Sequence, residues 1–150
     1  MNKYLKQFVK SKFRKPAKAL DLGAGDFNDV NGLIDLGWNA YGVDLKTGVN
    51  LEKFYFSPQG PFDLICSHYV FQKIKNRENF VKTIYENLKE GGWVFIQALD
   101  KSDKYGNSNL TKEEIARLFR DFSDVSIELK EIYDDWHNHY HKVLEVIGQK

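Results

Sequence analysis

The chain has a single cysteine, three prolines and no long apolar run in its 150 residues. A lone cysteine, Cys66, excludes an intramolecular disulfide. Its place inside a short apolar run marks it as a buried free thiol, as in a reducing compartment. No stretch approaches the roughly 20 apolar residues that span a bilayer, and the first residues lack the apolar core of a secretory signal. A soluble, cytoplasmic protein is expected. An excess of one charge is lacking too: Lys and Arg number 22, Asp and Glu 21. The chain as a whole therefore has no electrostatic preference for an anionic partner. Repeats, linkers and charge blocks that would divide it are absent, so one domain over 1–150 with one sizeable core is expected. What is present, 42% hydrophobic and 29% charged residues, is a globular composition.

The positive charge is unevenly placed. Seven basic residues and no acid precede Ala19. Within this segment Tyr4, Leu5, Phe8, Val9 and Phe13 recur at helical spacing, which predicts an amphipathic helix over 2–14, ended by Pro16. Such a helix caps a ligand site with its lysines solvated, or it serves as an RNA-binding arm in which aromatics interleave with cations. The cap is the preferred reading.

The most informative stretch follows directly: Asp21-Leu22-Gly23-Ala24-Gly25-Asp26-Phe27, after the apolar run Ala17–Leu20. A second apolar run, Ala40-Tyr41-Gly42-Val43, ends in Asp44. Strand, glycine turn, helix, strand and acid form the layout of a nucleoside-cofactor site at the edge of a parallel sheet. Glycines allow the sharp bend and the close approach of a ligand. A pyrophosphate favours a neutral or basic turn at a helix N-terminus, whereas Asp21 and Asp26 flank this one. Like charges about 4 Å apart repel by roughly 4 kcal/mol at an effective dielectric of 20. The third glycine of the dinucleotide fingerprint is also replaced, by Asn28. An NAD-binding domain is thereby disfavoured, and a cationic cofactor favoured.

These residues resemble the first motif of the class I S-adenosylmethionine-dependent methyltransferases: an acid, Gly-x-Gly opening a helix, and a second acid ending the next strand. The likeness extends along nearly the whole chain and is nearest to small methyltransferases of metabolites, including the tellurite-resistance-like ones. It implies an α/β, Rossmann-like three-layer sandwich with a seven-stranded, mostly parallel sheet of order 3-2-1-4-5-7-6, strand 7 antiparallel. It also implies S-adenosyl-L-methionine as cofactor, with S-adenosyl-L-homocysteine as product. Asp21 would orient the methionine ammonium, Gly23 and Gly25 would lie against the methionine portion, and Asp44 would hold the ribose. The full cofactor set so implied is Asp21, Gly23, Ala24, Gly25, Asp44, Leu45, Asn50, Leu51, Ser67 and His68.

Further along, Pro61–Ser67 reads as the fourth strand, entered through Phe62-Asp63. Asn76 caps a helix to Lys89 with Phe80, Ile84 and Leu88 on one face. Gly91-Gly92 then leads into an apolar strand from Trp93, as a strand buried on both faces requires. Asp100–Asn109 is a polar loop. Thr111-x-x-Glu114 is a capping box opening a helix to about Phe122, and Val125–Ile132 and Tyr140–Ile147 are the last strands. One departure stands out. Lys46–Gly60 is too short for the family's usual helix, strand and helix. Gly48–Glu52 is expected as an abbreviated third strand and Lys53–Gln59 as one turn of helix at most. Asn50 or Glu52 would then stand in for the family's adenine-binding acid.

Methyl transfer is a direct displacement, so alignment of the nucleophile matters more than a fixed catalytic group. His68 and Tyr69, just after the fourth strand, are the catalytic candidates: His68 as a base or as a packing residue, Tyr69 as a ring facing the sulfonium or as filler. The Asn/Asp-Pro-Pro-Tyr/Phe motif of amino-group methylation, a Pro-Cys nucleophile and a double-glutamate loop are all missing. A small-molecule acceptor is expected. The alternatives are an RNA methyltransferase and a non-catalytic methyltransferase-like partner subunit. In Trp136–His141 three histidines alternate, a spacing that suits a metal, a pocket wall or a solvated hairpin. The solvated hairpin is preferred, so no metal is expected.

Overall fold

The computed structural model describes residues 1–150. The helix expected at the start, α1, runs Lys3–Lys12, and Asn2 caps it by accepting from the amides of Tyr4 and Leu5. Strand β1 (Lys18–Leu22), helix α2 (Asn28–Asp35) and strand β2 (Asn39–Val43) follow. Then come β3 (Phe62–His68), α3 (Arg77–Asn87), β4 (Leu88–Leu99), α4 (Lys112–Leu118), β5 (Ser123–Asp134) and β6 (His139–Gln149). The sheet order is β2-β1-β3-β4-β6-β5. The first four strands are parallel, and β6 runs antiparallel between β4 and β5.

Both faces of the sheet are covered, which accounts for the continuous apolar strands. On one face Leu20, Leu22, Ile65, Val94 and Ile96 pack with Phe80 and Ile84 of α3 and Ile115 and Leu118 of α4. On the other, Ala19, Leu64, Cys66 and Phe95 pack with Leu5, Phe8 and Val9 of α1 and Leu33 of α2. Cys66 is fully buried as expected, and no helix is long and apolar enough to cross a membrane.

The strand order matches expectation with one strand missing: the sheet has six strands, not seven. Gly48–Glu52 is not a strand. Asp44 caps a single 3-10 turn, Leu45–Thr47, which ends at Gly48 in the left-handed region (φ 86°). Asn50 Oδ1 then accepts from the Glu52 amide, closing another turn. Residues 53–59 hold no helical turn, within the limit of one turn expected; they form a bend, irregular backbone and a turn at 58–59. Side chains of α3 take the place of a strand partner there. Thr83 Oγ1 accepts from Tyr55 N–H, and Asn87 accepts from Ser57 N–H while donating to the Tyr55 carbonyl. With its backbone groups met in this way the segment needs no ladder, and β2 is left at the sheet edge. Other boundaries shift little, except that β4 begins at Leu88, before Gly91-Gly92, and both β5 and β6 run further than expected.

Candidate active site

The glycine turn is tied to the end of β2 by three successive amides. Gly23 and Ala24 N–H both donate to the Val43 carbonyl, at 2.8 and 3.0 Å. Gly25 N–H donates to Asp44 Oδ2 at 3.2 Å. None of the three is left to meet a pyrophosphate. Gly23 (φ 84°) and Gly25 (φ 54°) supply the left-handed conformations that this bend requires. Their surroundings differ: a Cβ on Gly23 would lie 2.3 Å from Val70 Cγ2, whereas Gly25 faces open space. Gly42 lets β2 approach the turn, since a Cβ there would meet Ala24, Phe27 and Val30 within 2.8 Å.

The charge of the turn is lower than the sequence implies. Asp26 pairs with Lys46 at 2.8 Å, both exposed. Asp21 is buried, and desolvation pushes its carboxyl up to about 7, against the attraction of His68. Near neutral pH it is therefore only about half ionised. The occupied amides, more than the sign of the charge, argue against a dinucleotide. Asp21 Oδ1 is buried without a partner, so the site holds an acceptor in want of a cationic or hydrogen-donating group. Asp44 is the opposite case. The amide of Lys46, then that of Gly25, holds its carboxyl below the usual range despite some desolvation. It is ionised, largely solvated, and has lone pairs to spare. Leu45 beside it is 73% exposed. Asp21, Ala24, Gly25, Asp44 and Leu45 thus lie together at the C-terminal edge of β1 and β2, as a cofactor bearing an ammonium and a ribose requires.

Other expected cofactor residues are placed differently. Leu51 is buried in the core beneath α3. Asn50 uses its Oδ1 within its own turn. Glu52 accepts from the amides of Lys75 and Asn76, which keep its carboxyl below the usual range; it ties the shortened segment to the loop before α3. Ser67 is fully buried and donates to the Leu22 carbonyl at 2.7 Å. The side chains of Leu51 and Ser67 are thus committed to the fold, while Asn50 is exposed with its Nδ2 unpartnered.

His68 and Tyr69 leave the end of β3 in different directions. His68 lies on the α1/α2 face with Asp21 and Cys66. Its Nδ1 is 2.8 Å from Asp29 Oδ2 at the start of α2, an ion contact off the line of a ring hydrogen bond. Burial raises Asp29, but His68 and the Asn2 amide outweigh it and hold the carboxyl below the usual range. Asn2 also donates to Gln97 Oε1, Gln97 donates to Glu145, and Glu145 pairs with Lys130. A polar row thus crosses the sheet from Asp21 to Lys130, with the N-terminus of α1 lying over it. Asn2 carried a signal in the sequence, an amide just before an amphipathic run; Asp29 and Glu145 carried none.

Tyr69 adopts a left-handed backbone (φ 57°), and its amide donates to the Gln97 carbonyl at 2.8 Å. The bend costs on the order of 1–3 kcal/mol for a non-glycine residue. It turns the ring toward a 660 Å³ cleft shared with Met1, Asn2, Gln72, Tyr133, Asp134 and His141. Burial, then the charge of Asp134, raises its hydroxyl. The β5–β6 hairpin therefore forms one wall of the cleft. His137 is exposed in its tip, while His139 and His141 enter β6.

A model of the methyltransferase domain matches residues 1–142, nearly the whole chain. The chain belongs to this family. Solved structures of the same fold include TehB from Haemophilus influenzae (TM-score 0.71, 20% identity), covering 100% of this chain and 62% of that one. Phosphoethanolamine N-methyltransferase 2 of Haemonchus contortus, in complex with S-adenosyl-L-methionine, superposes with TM-score 0.75 at 15% identity, covering 99% and 53%. The 1,6-didemethyltoxoflavin-N1-methyltransferase of Burkholderia thailandensis, bound to 1,6-didemethyltoxoflavin and S-adenosylhomocysteine, gives 0.70 at 15%, covering 99% and 78%. This methyltransferase domain thus spans less than two thirds of the first two, and at such identities the likeness is one of fold. No curated protein matches it in sequence.

Proposed function

We propose that this methyltransferase domain transfers a methyl group from S-adenosyl-L-methionine to a small-molecule acceptor by in-line displacement. The observation that carries this reading is the pair of carboxylates at one sheet edge: Asp21, buried with an unpartnered oxygen, and Asp44, ionised and open beside Gly25. When bound, the sulfonium supplies an activated methyl carbon and an excellent leaving group. Asp21 takes the methionine ammonium, the backbone at Gly25 lies against the methionine chain, and Asp44 accepts from the ribose hydroxyls. Leu45 offers apolar cover to the base. The acceptor occupies the cleft beside Tyr69. His68 does not line that cleft: it sits with Nδ1 2.8 Å from Asp29 Oδ2 and both ring nitrogens buried, so it shapes the floor of the site, and Tyr69 is the group after β3 that faces the acceptor.

The small acceptor is supported by the cleft size and by the α1 helix. Its apolar residues are buried against Phe95 and Leu64, so it acts as part of the fold that roofs the site. The Haemonchus and Burkholderia proteins, methyltransferases of phosphoethanolamine and of 1,6-didemethyltoxoflavin, agree with an acceptor of that size. The test is release of S-adenosylhomocysteine against a panel of small amines, phenols, thiols and carboxylates, with RNA as one arm. Turnover with a small acceptor is the expected result. Turnover with RNA alone would overturn the acceptor assignment.

A further inference from the structure

The β5–β6 hairpin and the loop after β4 bring a second polar cluster to the far wall of the cleft. His141 Nδ1 lies 3.1 Å from the Asp103 carboxylate, and His139 Nδ1 lies 3.2 Å from the main-chain carbonyl of His137. The main-chain carbonyl only accepts, and the Asp103 carboxylate already accepts from the amides of Lys142 and Gly106. With an acceptor facing each Nδ1, the arrangement favours the tautomer with its proton there. That choice leaves a lone pair on each Nε2. The two Nε2 atoms are 3.1 Å apart, and Asp134 Oδ2 is 3.5 Å from that of His141. Three electron-pair donors converge, all within 4.8 Å of one another.

The supporting contacts are of the kind that hold ligands in place. Asp103 is nearly fully buried and anchored by the amides of Lys142 and Gly106. Tyr105 stacks on the His139 ring with centroids 3.6 Å apart. Asp134 Oδ1 accepts from the amides of Trp136 and His137, and His137 Nδ1 sits 2.7 Å from Oδ2. Carboxylate or carbonyl partners on the far nitrogen of a ligating imidazole fix its tautomer and raise its basicity. A tetrahedral ion with ligand bonds of about 2.0–2.1 Å spaces its ligands about 3.3–3.4 Å apart. The 3.1 and 3.5 Å separations bracket that value.

We propose that Asp134, His139 and His141 bind one divalent transition-metal ion of the zinc type, with a coordination position left open. Two imidazoles and a carboxylate suit a borderline ion, and three protein ligands leave room for water or another lone-pair ligand. Asp134 and His141 line the cleft, so the open position faces it. This departs from the sequence reading, which assigned no metal. The site does not rest on the methyl-transfer proposal, because none of its ligands touches the glycine turn.

The test is competition for Zn²⁺ between a chromophoric chelator and the full chain stripped of metal, with Co²⁺ absorption as a second readout. The expected result is one equivalent bound, with the intense visible bands of four-coordinate Co²⁺. Binding is expected to fall at least 100-fold in His139→Ala and in His141→Ala, and about 10–100-fold in Asp103→Asn, which touches no metal. Circular dichroism of each variant checks that it is folded. The wild-type measurement stands by itself if a variant is not. Failure to bind, the pale spectrum of six-coordinate Co²⁺, or binding retained in both histidine variants overturns the proposal. A shared proton between the rings is then the remaining account of their approach.

Discussion

Asp44 Oδ2 accepts a hydrogen bond from Gly25 N–H at 3.2 Å, joining the acid that ends β2 to the turn that follows β1. The contact crosses between adjacent parallel strands at their C-terminal ends, where open α/β sheets bind ligands. It orients the carboxylate before any ligand arrives. Asp44→Ala is expected to weaken S-adenosylhomocysteine binding by about 1.5–3 kcal/mol, the scale of hydrogen bonds to a charged group. The melting temperature should fall as well, since the variant loses the cap of the Leu45–Thr47 turn, a cost of about 0.5–2 kcal/mol. Calorimetric titration checks the first and thermal denaturation the second. An unchanged affinity in a folded variant contradicts the assignment.

Asp21 gives the pH dependence. Its folded-state value of about 7 lies above the ordinary 3.8, so the folded protein binds this proton more tightly than the unfolded chain. Stability from this group is full below about pH 4 and is lost as pH rises to about 7. The loss is on the order of 4 kcal/mol at 1.36 kcal/mol per unit, an upper figure. Asp21→Asn should therefore be more stable than the wild type at pH 8, with the difference shrinking toward pH 5 in urea unfolding. A difference independent of pH contradicts this.

The same proton bears on binding. A cationic ammonium favours ionised Asp21, so ligand uptake below pH 7 must displace a proton. The association constant for S-adenosylhomocysteine is expected to rise as pH goes from 6 to 7 and to level off above. The titration enthalpy at pH 6.5 should depend on the buffer. Both effects should vanish in Asp21→Asn; their persistence would assign them to another group.

Gly23→Ala meets two obstacles at once, a positive φ and Val70 Cγ2 at 2.3 Å. It is expected to destabilise the fold by about 1–3 kcal/mol and to disturb the turn. Val70→Ala in the same chain removes the contact but not the backbone strain, so it should recover only part of the loss. Full recovery in denaturant titrations would mean that the steric contact is the whole effect.

Asn87 is buried on α3 and meets the backbone of the segment that replaces the third strand. Asn87→Leu leaves Ser57 N–H without a partner. It should cost about 1–3 kcal/mol, with faster hydrogen exchange at Tyr55 and Ser57. Unchanged exchange there would show that the segment is held by other contacts.

The fold was legible because its signals are local. The turn Gly23-Ala24-Gly25, the acid ending β2 and the apolar strands each lie within a few residues, and the strand order was implied by the family resemblance that these residues carry. The missing strand was legible as a shortage of residues but not as a structure, because what satisfies 55–57 comes from Thr83 and Asn87 some 30 positions away. The candidate site was legible in its acids, but the state of those acids was not. Lys46 neutralises Asp26 across 20 positions, and burial half-protonates Asp21. The Asp29–His68 and Asn2–Gln97 contacts arise only when α1 and α2 dock on the sheet. The alternation of His137, His139 and His141 was visible, but their tautomers depend on Asp103 and a carbonyl that sequence alone does not place.

The central claim is the cofactor site, and calorimetric titration of the full chain with S-adenosylhomocysteine, with NAD as control, tests it most directly. Saturable one-to-one binding of the first and none of the second is the predicted result. Binding of NAD, or of neither, would contradict the account, and the second outcome would favour a non-catalytic partner subunit.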